Sequence, residues 1–339
     1  MRRTVAATGP TPSADGLEYH VVDVFTERPF SGNPLAVVLG AEGLATDQLQ
    51  TLAREFQLSE TAFPMFGDPA VAAAGADYRL RIFTPEVELP FAGHPSVGTA
   101  WLLQELGLIR PRDGQVIQVC GAGALPLARD ADGRIELRGG APNLGPVVAP
   151  SALVAAVGLD LADLVGSPPR LAGTGIDFAI ARVLPDALRR ARPDLGALRT
   201  VFAPEVADAS DDWSPGSVAG ILLVAWGERG PGVPTYRARM FAGDVGVAED
   251  AATGSAALAL GVHLVDVGTL GADGSSRYLV EQGVEMGRPS VLRCRVEATD
   301  GRTVAAYVSG DVVPIASGTV RIPPVVERSD PRANRPSSS

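Results

Sequence analysis

The sequence contains no lysine: all 29 basic residues are arginine. That absence excludes chemistry built on a lysine Schiff base, as in pyridoxal-phosphate enzymes, and phosphate binding through a P-loop lysine. Cysteine is nearly as scarce. Cys120 and Cys294 stand far apart with no C-x-x-C spacing, so no disulfide framework or cysteine-rich zinc site is expected, and both are read as ordinary buried residues. The three histidines, His20, His94 and His263, are too few and too scattered for clustered ligation of a transition metal. No apolar run reaches the ~18 residues of a membrane span; residues 254–265 come nearest. The opening MRRTVAATGPTPSADG has arginines but no apolar core segment, so no signal peptide is read and a cytoplasmic location is expected. Acidic residues outnumber basic ones, 39 to 29, giving a net charge of −10 and a pI near 4.9. Such a balance argues against sequence-independent binding to nucleic-acid phosphates.

The 339 residues are 46% hydrophobic and 20% charged, with 39 Gly and 28 Pro. That is too apolar for a disordered chain, and the length suits about two domains. Residues 1–16 and 326–339 are small, polar and broken by Pro and Gly, and are expected to be disordered tails. Tyr19–Phe25 and Leu35–Leu39 read as strands around the loop PFSGNP. Thr46 suits the cap of a helix in which Leu49, Leu52, Ala53 and Phe56 recur at helical spacing. LSETAFP alternates like a strand, with Leu58, Glu60 and Ala62 on one face, and Tyr78–Phe83 reads as another strand. Next comes a helix from Pro95 to Leu106, with Pro95 at its first position and Gly107 just past its end. Apolar residues occupy nearly every side of it, so other structure should enclose it. Segments 143–170 and 185–216 read as connections and peripheral helices.

The second half repeats this plan. Arg79-x-Arg81-x-Phe83 recurs as Arg237-x-Arg239-x-Phe241, and each copy leads through a Gly-containing loop to an enclosed helix. The second helix, SAALALGVHLVDVG, follows Gly254 and stops at Gly268. The repeat predicts an α+β fold of two pseudo-symmetric lobes, each a curved, mostly antiparallel sheet wrapped around a central helix. The expected boundaries are 17–140 for the first lobe, completed by a strand near 312–325, and 141–311 for the second.

Two enclosed helices offer two N-termini with unpaired backbone N–H groups. If they converge on one cleft, the cleft favours a carboxylate and an enolate-like charge beside it. His94 stands at the expected N-cap of the first helix, where it either caps the helix or acts on a ligand. Asp250, Gly254 and Ser255 precede the second, as plain caps or as site residues. Glu60 is either an exposed edge-strand residue or a partly buried acid whose raised pKa suits proton transfer. Asn33 either pins the SGNP loop or touches substrate. Gln282–Ser290, QGVEMGRPS, is either a tight turn or a closure of the second lobe near the cleft.

Together the blocks SGNP (31–34), SETAF (59–63), FTPxxELPFAGHPSVGTA (83–100), EDAATGSAA (249–257) and QGxxxGRPS (282–290) resemble the phenazine-biosynthesis isomerase family, PhzF-like proteins, over about residues 18–325. The resemblance implies the diaminopimelate-epimerase fold, usually as a homodimer, with catalysis in the interlobe cleft that uses no cofactor and no metal. It assigns the proton shuttle to Glu60. His94 and Asp250 would hold or relay protons, and Gly93, Gly254 and Ser255 would bind substrate. The implied activity is a proton and double-bond shift in a small cyclic unsaturated carboxylate, such as trans-2,3-dihydro-3-hydroxyanthranilate, in natural-product biosynthesis. The rival readings are a double-bond isomerase acting on an alkyl-pyrroline or proline precursor, an amino-acid epimerase, and a non-catalytic binder of a carboxylate metabolite. Two departures stand out: Ala251 follows the aspartate where the family usually has Pro, and Phe241-Ala242 is followed by Gly243 instead of Pro. Both are expected to loosen the loop carrying Asp250. Related epimerases place a cysteine at each helix end; His94 and Ser255 stand there in this chain.

Overall fold

A computed structural model describes residues 16–201, 218–227, 232–242 and 248–325. Of the expected tails, 1–16 and 326–339, all but Gly16, which bridges beside β1, lie outside the described residues, as do Gly243 and 202–216. Along the first half run β1 (Leu17–Val24), β2 (Asn33–Val38), α1 (Thr46–Phe56), β3 (Glu60–Met65), α2 (Pro69–Ala74), β4 (Tyr78–Phe83) and β5 (Glu88–Leu89). There follow α3 (Gly93–Glu105), β6 (Gln115–Cys120), β7 (Gly123–Arg129), β8 (Ile135–Arg138), β9 (Asn143–Val147) and α4 (Pro150–Ala156). The second half holds β10 (Arg170–Gly173), β11 (Asp177–Arg182), α5 (Pro185–Arg190), α6 (Leu195–Val201), β12 (Val218–Trp226), β13 (Thr235–Ala242) and β14 (Glu249–Asp250). It ends with α7 (Gly254–Asp266), β15 (Gly274–Gln282), β16 (Ser290–Thr299), β17 (Arg302–Gly310) and β18 (Val312–Val320).

The chain is a mixed α/β protein with one large hydrogen-bonded sheet and few helices. Strand orientations repeat. β1–β2 is antiparallel, β2–β3 parallel and β3–β4 antiparallel, and β4 pairs antiparallel with β5 and parallel with β6. β10 through β15 follow the same sequence of orientations. Antiparallel runs β6–β7–β8 and β15–β16–β17 come next, joined by β8–β17. β9 pairs with β10, and β18, from the end of the chain, pairs with β1.

The R-x-R-x-F repeat has one structural job in both copies. Arg81 holds both oxygens of Glu88 at 2.7 Å and lies 5.1 Å from the Phe83 ring centroid. Arg239 holds Glu249 at 2.8 and 2.7 Å and lies 4.8 Å from the Phe241 ring centroid. Each pair fastens a two-residue strand, β5 or β14, to the long strand before it. That two-residue strand leads directly into the enclosed helix.

α3 packs on β1, β2, β3 and β8, and α7 on β9, β10, β11, β16 and β17. Both helices are buried along most of their length and share one apolar cluster. A second cluster lies under α4, α5 and α6, a third under α1. α1 buries Leu49, Leu52 and Ala53, as their spacing predicts. Thr46, however, is its first residue and not its cap. Ala45 is the cap, and the Gln48 side chain accepts the Ala45 N–H at 3.0 Å. α3 likewise starts two residues before the expected Pro95, with Ala92 as its cap and His94 as its second residue. Proline is tolerated there because the first-turn N–H positions have no intrahelical partner. Gly107 and Gly268 follow the two helices in left-handed conformation, φ 69° and 67°, as expected for C′ glycines. Segment 143–170 contains a strand, β9, where the sequence pattern suggests only connections and peripheral helices. Its NLGPV sequence carries a Gly and a Pro, which sheets accept at an edge, and β10 is its partner.

Candidate active site

The two enclosed helices meet at their N-termini. A methyl group placed on Gly93 would stand 3.5 Å from the Gly254 Cα and from the Ser255 nitrogen. Gly93 and Gly254 are the first residues of their helices and His94 and Ser255 the second, so the repeat superposes the pairs as the sequence implies. Both helix ends direct partial positive charge toward this point.

Glu60, the first residue of β3, brings its Oε2 to 3.4 Å from His94 Nε2. The Glu60 side chain is 15% exposed and that of His94 4%. Neither facing atom has a hydrogen-bond partner among the described residues. Burial first, then repulsion from the Asp250 carboxylate, pushes the Glu60 carboxyl up to about 8, with the Ser59 hydroxyl offsetting part of the rise. Burial also holds the His94 imidazole down to about 3, against an opposing contact with the Pro34 backbone. At neutral pH a neutral imidazole therefore faces a carboxyl that exchanges its proton near the working pH, as a general acid–base group requires.

Asp250 ends β14. Its Oδ1 accepts from Asn33 Nδ2 at 2.7 Å and its Oδ2 from Thr253 Oγ1 at 2.5 Å. Burial raises its pKa although these bonds, and the N–H groups of Ala251 and Ala252, favour the charged form. Ala251 thus supplies a donor that a proline could not, and it is itself buried. Glu60 and Asp250 feel each other's charge, so their protons come off as those of a pair.

Asn33 ties these groups together. Its amide nitrogen reaches Asp250, the Ala252 carbonyl at 3.0 Å and His94 Nδ1 at 3.1 Å, while its oxygen accepts from Ser59 Oγ at 2.9 Å. These bonds give Asn33 a pinning role at the site. Gln282, fully buried, donates to the Asp250 carbonyl at 2.8 Å and to Thr253 Oγ1 at 3.0 Å. Ser59, Thr253 and Gln282 went unread as site residues although each lies inside a motif block. Glu60, Gly93, His94, Asp250 and Gly254 come together here, with Ser255 half-buried at the same helix end. Among the described residues no three His, Cys, Asp or Glu side chains converge as a metal-binding group, and no helix is long and apolar enough to cross a membrane.

Residues 22–318 match the phenazine biosynthesis-like family, PhzC-PhzF. The chain belongs to that family. The trans-2,3-dihydro-3-hydroxyanthranilate isomerase of Pseudomonas aeruginosa is 33% identical over 308 residues, covering 88% of this chain and 98% of the relative. An uncharacterised isomerase of Mesorhizobium japonicum is 34% identical over 330 residues, covering 90% and 98%. The crystal structure of a Bacillus anthracis phenazine biosynthesis protein of the PhzF family matches with a TM-score of 0.77 at 26% identity, over 90% of this chain and 99% of that one. The protein is an isomerase of this phenazine biosynthesis-like family.

The site of this PhzF-like isomerase does not follow the symmetry of the repeat. Strand register pairs Thr61 with Phe83 and Ile221 with Phe241, so the repeat places Gly220 where Glu60 stands. A methyl on Gly220 would lie 2.2 Å from the Phe241 carbonyl oxygen, so a side chain there requires the backbone to move. By the same register Leu89 takes the place of Asp250.

Proposed function

We propose that this isomerase moves a proton, and with it a double bond, within a small cyclic unsaturated carboxylate, most like trans-2,3-dihydro-3-hydroxyanthranilate. In this reading the chain forms two pseudo-symmetric lobes, 17–140 with the strand near 312–325 and 141–311, each wrapped around its enclosed helix. The substrate lies between them, and the protein is a homodimer. Ionised Glu60 takes a proton from an acidic C–H, becomes the neutral acid, and delivers that proton to another carbon of the conjugated system. His94 and Asp250 hold or relay protons on the substrate's polar groups. Ser255, Gly93, Gly254 and the helix-end amides hold its carboxylate. Neither cofactor nor metal enters the scheme.

The observation that carries this reading is the Glu60 carboxyl, pushed up to about 8 and facing an unpartnered His94 Nε2. The absence of a carboxyl at Gly220, the repeat mate of Glu60, favours it over a symmetric two-base epimerisation. The test is incubation with dihydroaromatic and pyrroline acids, followed by ultraviolet absorbance and by mass spectrometry in deuterated water. The dihydro-hydroxyanthranilate should be consumed with its double bonds shifted, and Glu60→Gln should abolish the change with the fold intact. Near-full turnover by that variant, or binding without conversion, would overturn the assignment.

A further inference from the structure

The turn between β15 and β16, which follows Gln282 directly, reaches both the Asp250 segment and the SGNP loop. At one end a methyl on Gly283 would stand 2.6 Å from the Ala251 carbonyl oxygen, so the turn abuts the backbone next to Asp250. At the other end the Arg288 guanidinium crosses to the SGNP loop. Its Nε donates to the Gly32 carbonyl at 3.0 Å, and its Nη2 donates to the Ser31 carbonyl at 2.8 Å and to Asp23 Oδ1 at 2.5 Å. Asp23 is 2% exposed, and its second oxygen accepts from the Phe30 N–H at 2.7 Å. The loop returns a bond from the Gly32 N–H to the Pro289 carbonyl at 3.1 Å. Phe30 and Gly32 both have positive φ, 61° and 68°, and for a bulky residue such as phenylalanine that conformation persists only when its surroundings fix it. The next residue is Asn33, whose amide nitrogen holds Asp250, Ala252 and His94.

We propose that Arg288 is a positioning residue: by fixing loop 30–32 through Asp23, it sets the place of Asn33, and through Asn33 the spacing of Asp250 and His94. Its guanidinium forms three bonds at once, to two carbonyls and a buried carboxylate, a geometry that the ammonium of lysine does not reproduce. Displacement of Asn33 by even ~1 Å would break its 2.7 Å bond to Asp250 and release the ring of His94, and reaction rates are sensitive to misplacement on that scale. The kinetic part of this inference rests on the proposed isomerase reading; the placement of His94 does not.

The test uses the full chain labelled with 15N-histidine, which gives ring signals from only three histidines. Arg288→Gln should shift the His94 ring nitrogens in the direction that Asn33→Ala shifts them, leave His263 near the other end of α7 unmoved, and add nothing in the double variant. Arg293→Gln, which loses only an exposed pair with Glu27 and a 3.8 Å contact to Asp311, is the control and should leave His94 in place. In turnover assays Arg288→Gln should lower kcat about tenfold or more with KM within about threefold, Arg288→Lys should fall between, and the loss should not add to that of Asn33→Ala. Unmoved His94 signals in Arg288→Gln, His94 and His263 shifting together, or additive losses would each overturn the proposal. A wild-type protein without turnover on any acid in the panel would defeat the isomerase reading alone, since the spectra still decide where Arg288 acts.

Discussion

Glu60 should cost the folded protein stability in the pH range where it becomes useful. The unfolded chain releases this proton near 4.5, whereas burial beside Asp250 keeps it on the folded protein to about 8. Between those values the folded state binds the extra proton, so stability falls as pH rises; below 4.5 both states are protonated and above 8 both are ionised. At ~1.4 kcal/mol per tenfold change in proton affinity, the whole window amounts to about 5 kcal/mol, and the part between pH 6 and 9 to about 3 kcal/mol. Glu60→Gln keeps the shape of the side chain and removes its ionisation. Urea denaturation of both proteins from pH 6 to 9 should therefore show the wild type losing about 3 kcal/mol more than the variant, with the loss levelling off by about pH 9. Because Asp250 titrates as a pair with Glu60, the difference reads the loss of the Glu60 proton together with the easier ionisation of Asp250 beside a neutral amide. Turnover should move the other way, falling by at least ~10²-fold in the variant, as expected for loss of a positioned acid–base group. Parallel stability curves would mean that folded Glu60 is already ionised at pH 6, and the argument for it as a proton shuttle would fail.

His94, held down to about 3 by burial, should stay a neutral imidazole between pH 5 and 8, its ring nitrogens showing no imidazolium shift, and the acid limb of kcat/KM should lie near 8. A limb near 6.5 that vanishes in His94→Asn would contradict this assignment. Arg239→Met should cost about 3–5 kcal/mol in chemical denaturation, because it strands the largely buried Glu249 and the carbonyls of Leu188 and Ala191. Its repeat partner Arg81, beside the more exposed Glu88, should cost only about 1 kcal/mol when replaced by methionine; equal losses would refute the difference in burial as the cause. Gly261→Ala would put a methyl 2.3 Å from the Tyr278 hydroxyl, which donates to the Ala257 carbonyl at 2.7 Å, and should lower stability by ~1–3 kcal/mol, readable as a fall in Tm.

Local pattern made several elements legible. The spacing of Leu49, Leu52 and Ala53 gives the buried face of α1, and apolar residues all round 93–105 and 254–266 give the two enclosed helices. The same logic misplaces their starts, since first-turn N–H groups need no intrahelical partner and a proline therefore marks the first turn, not its first residue. What local pattern does not contain is pairing between distant segments. Asn33 reaches Asp250 across the whole repeat, β18 closes on β1, and Arg288 grips a loop from the first half; no spacing rule connects these positions. The repeat itself gives two equivalent helix ends and so suggests two equivalent halves of a site. Strand register removes that equivalence: the mates of Glu60 and Asp250 are Gly220 and Leu89, and the Phe241 carbonyl occupies the space a side chain at 220 would need. A site built this way has one strand-borne carboxyl facing the histidine, and in the proposed reaction that carboxyl must both take the proton and return it. Shifting a double bond can use one carboxyl for both transfers, whereas a symmetric two-base inversion would call for matched groups at 60 and 220. The asymmetry imposed on a duplicated framework is therefore the physical reason to look for an allylic isomerisation in this protein.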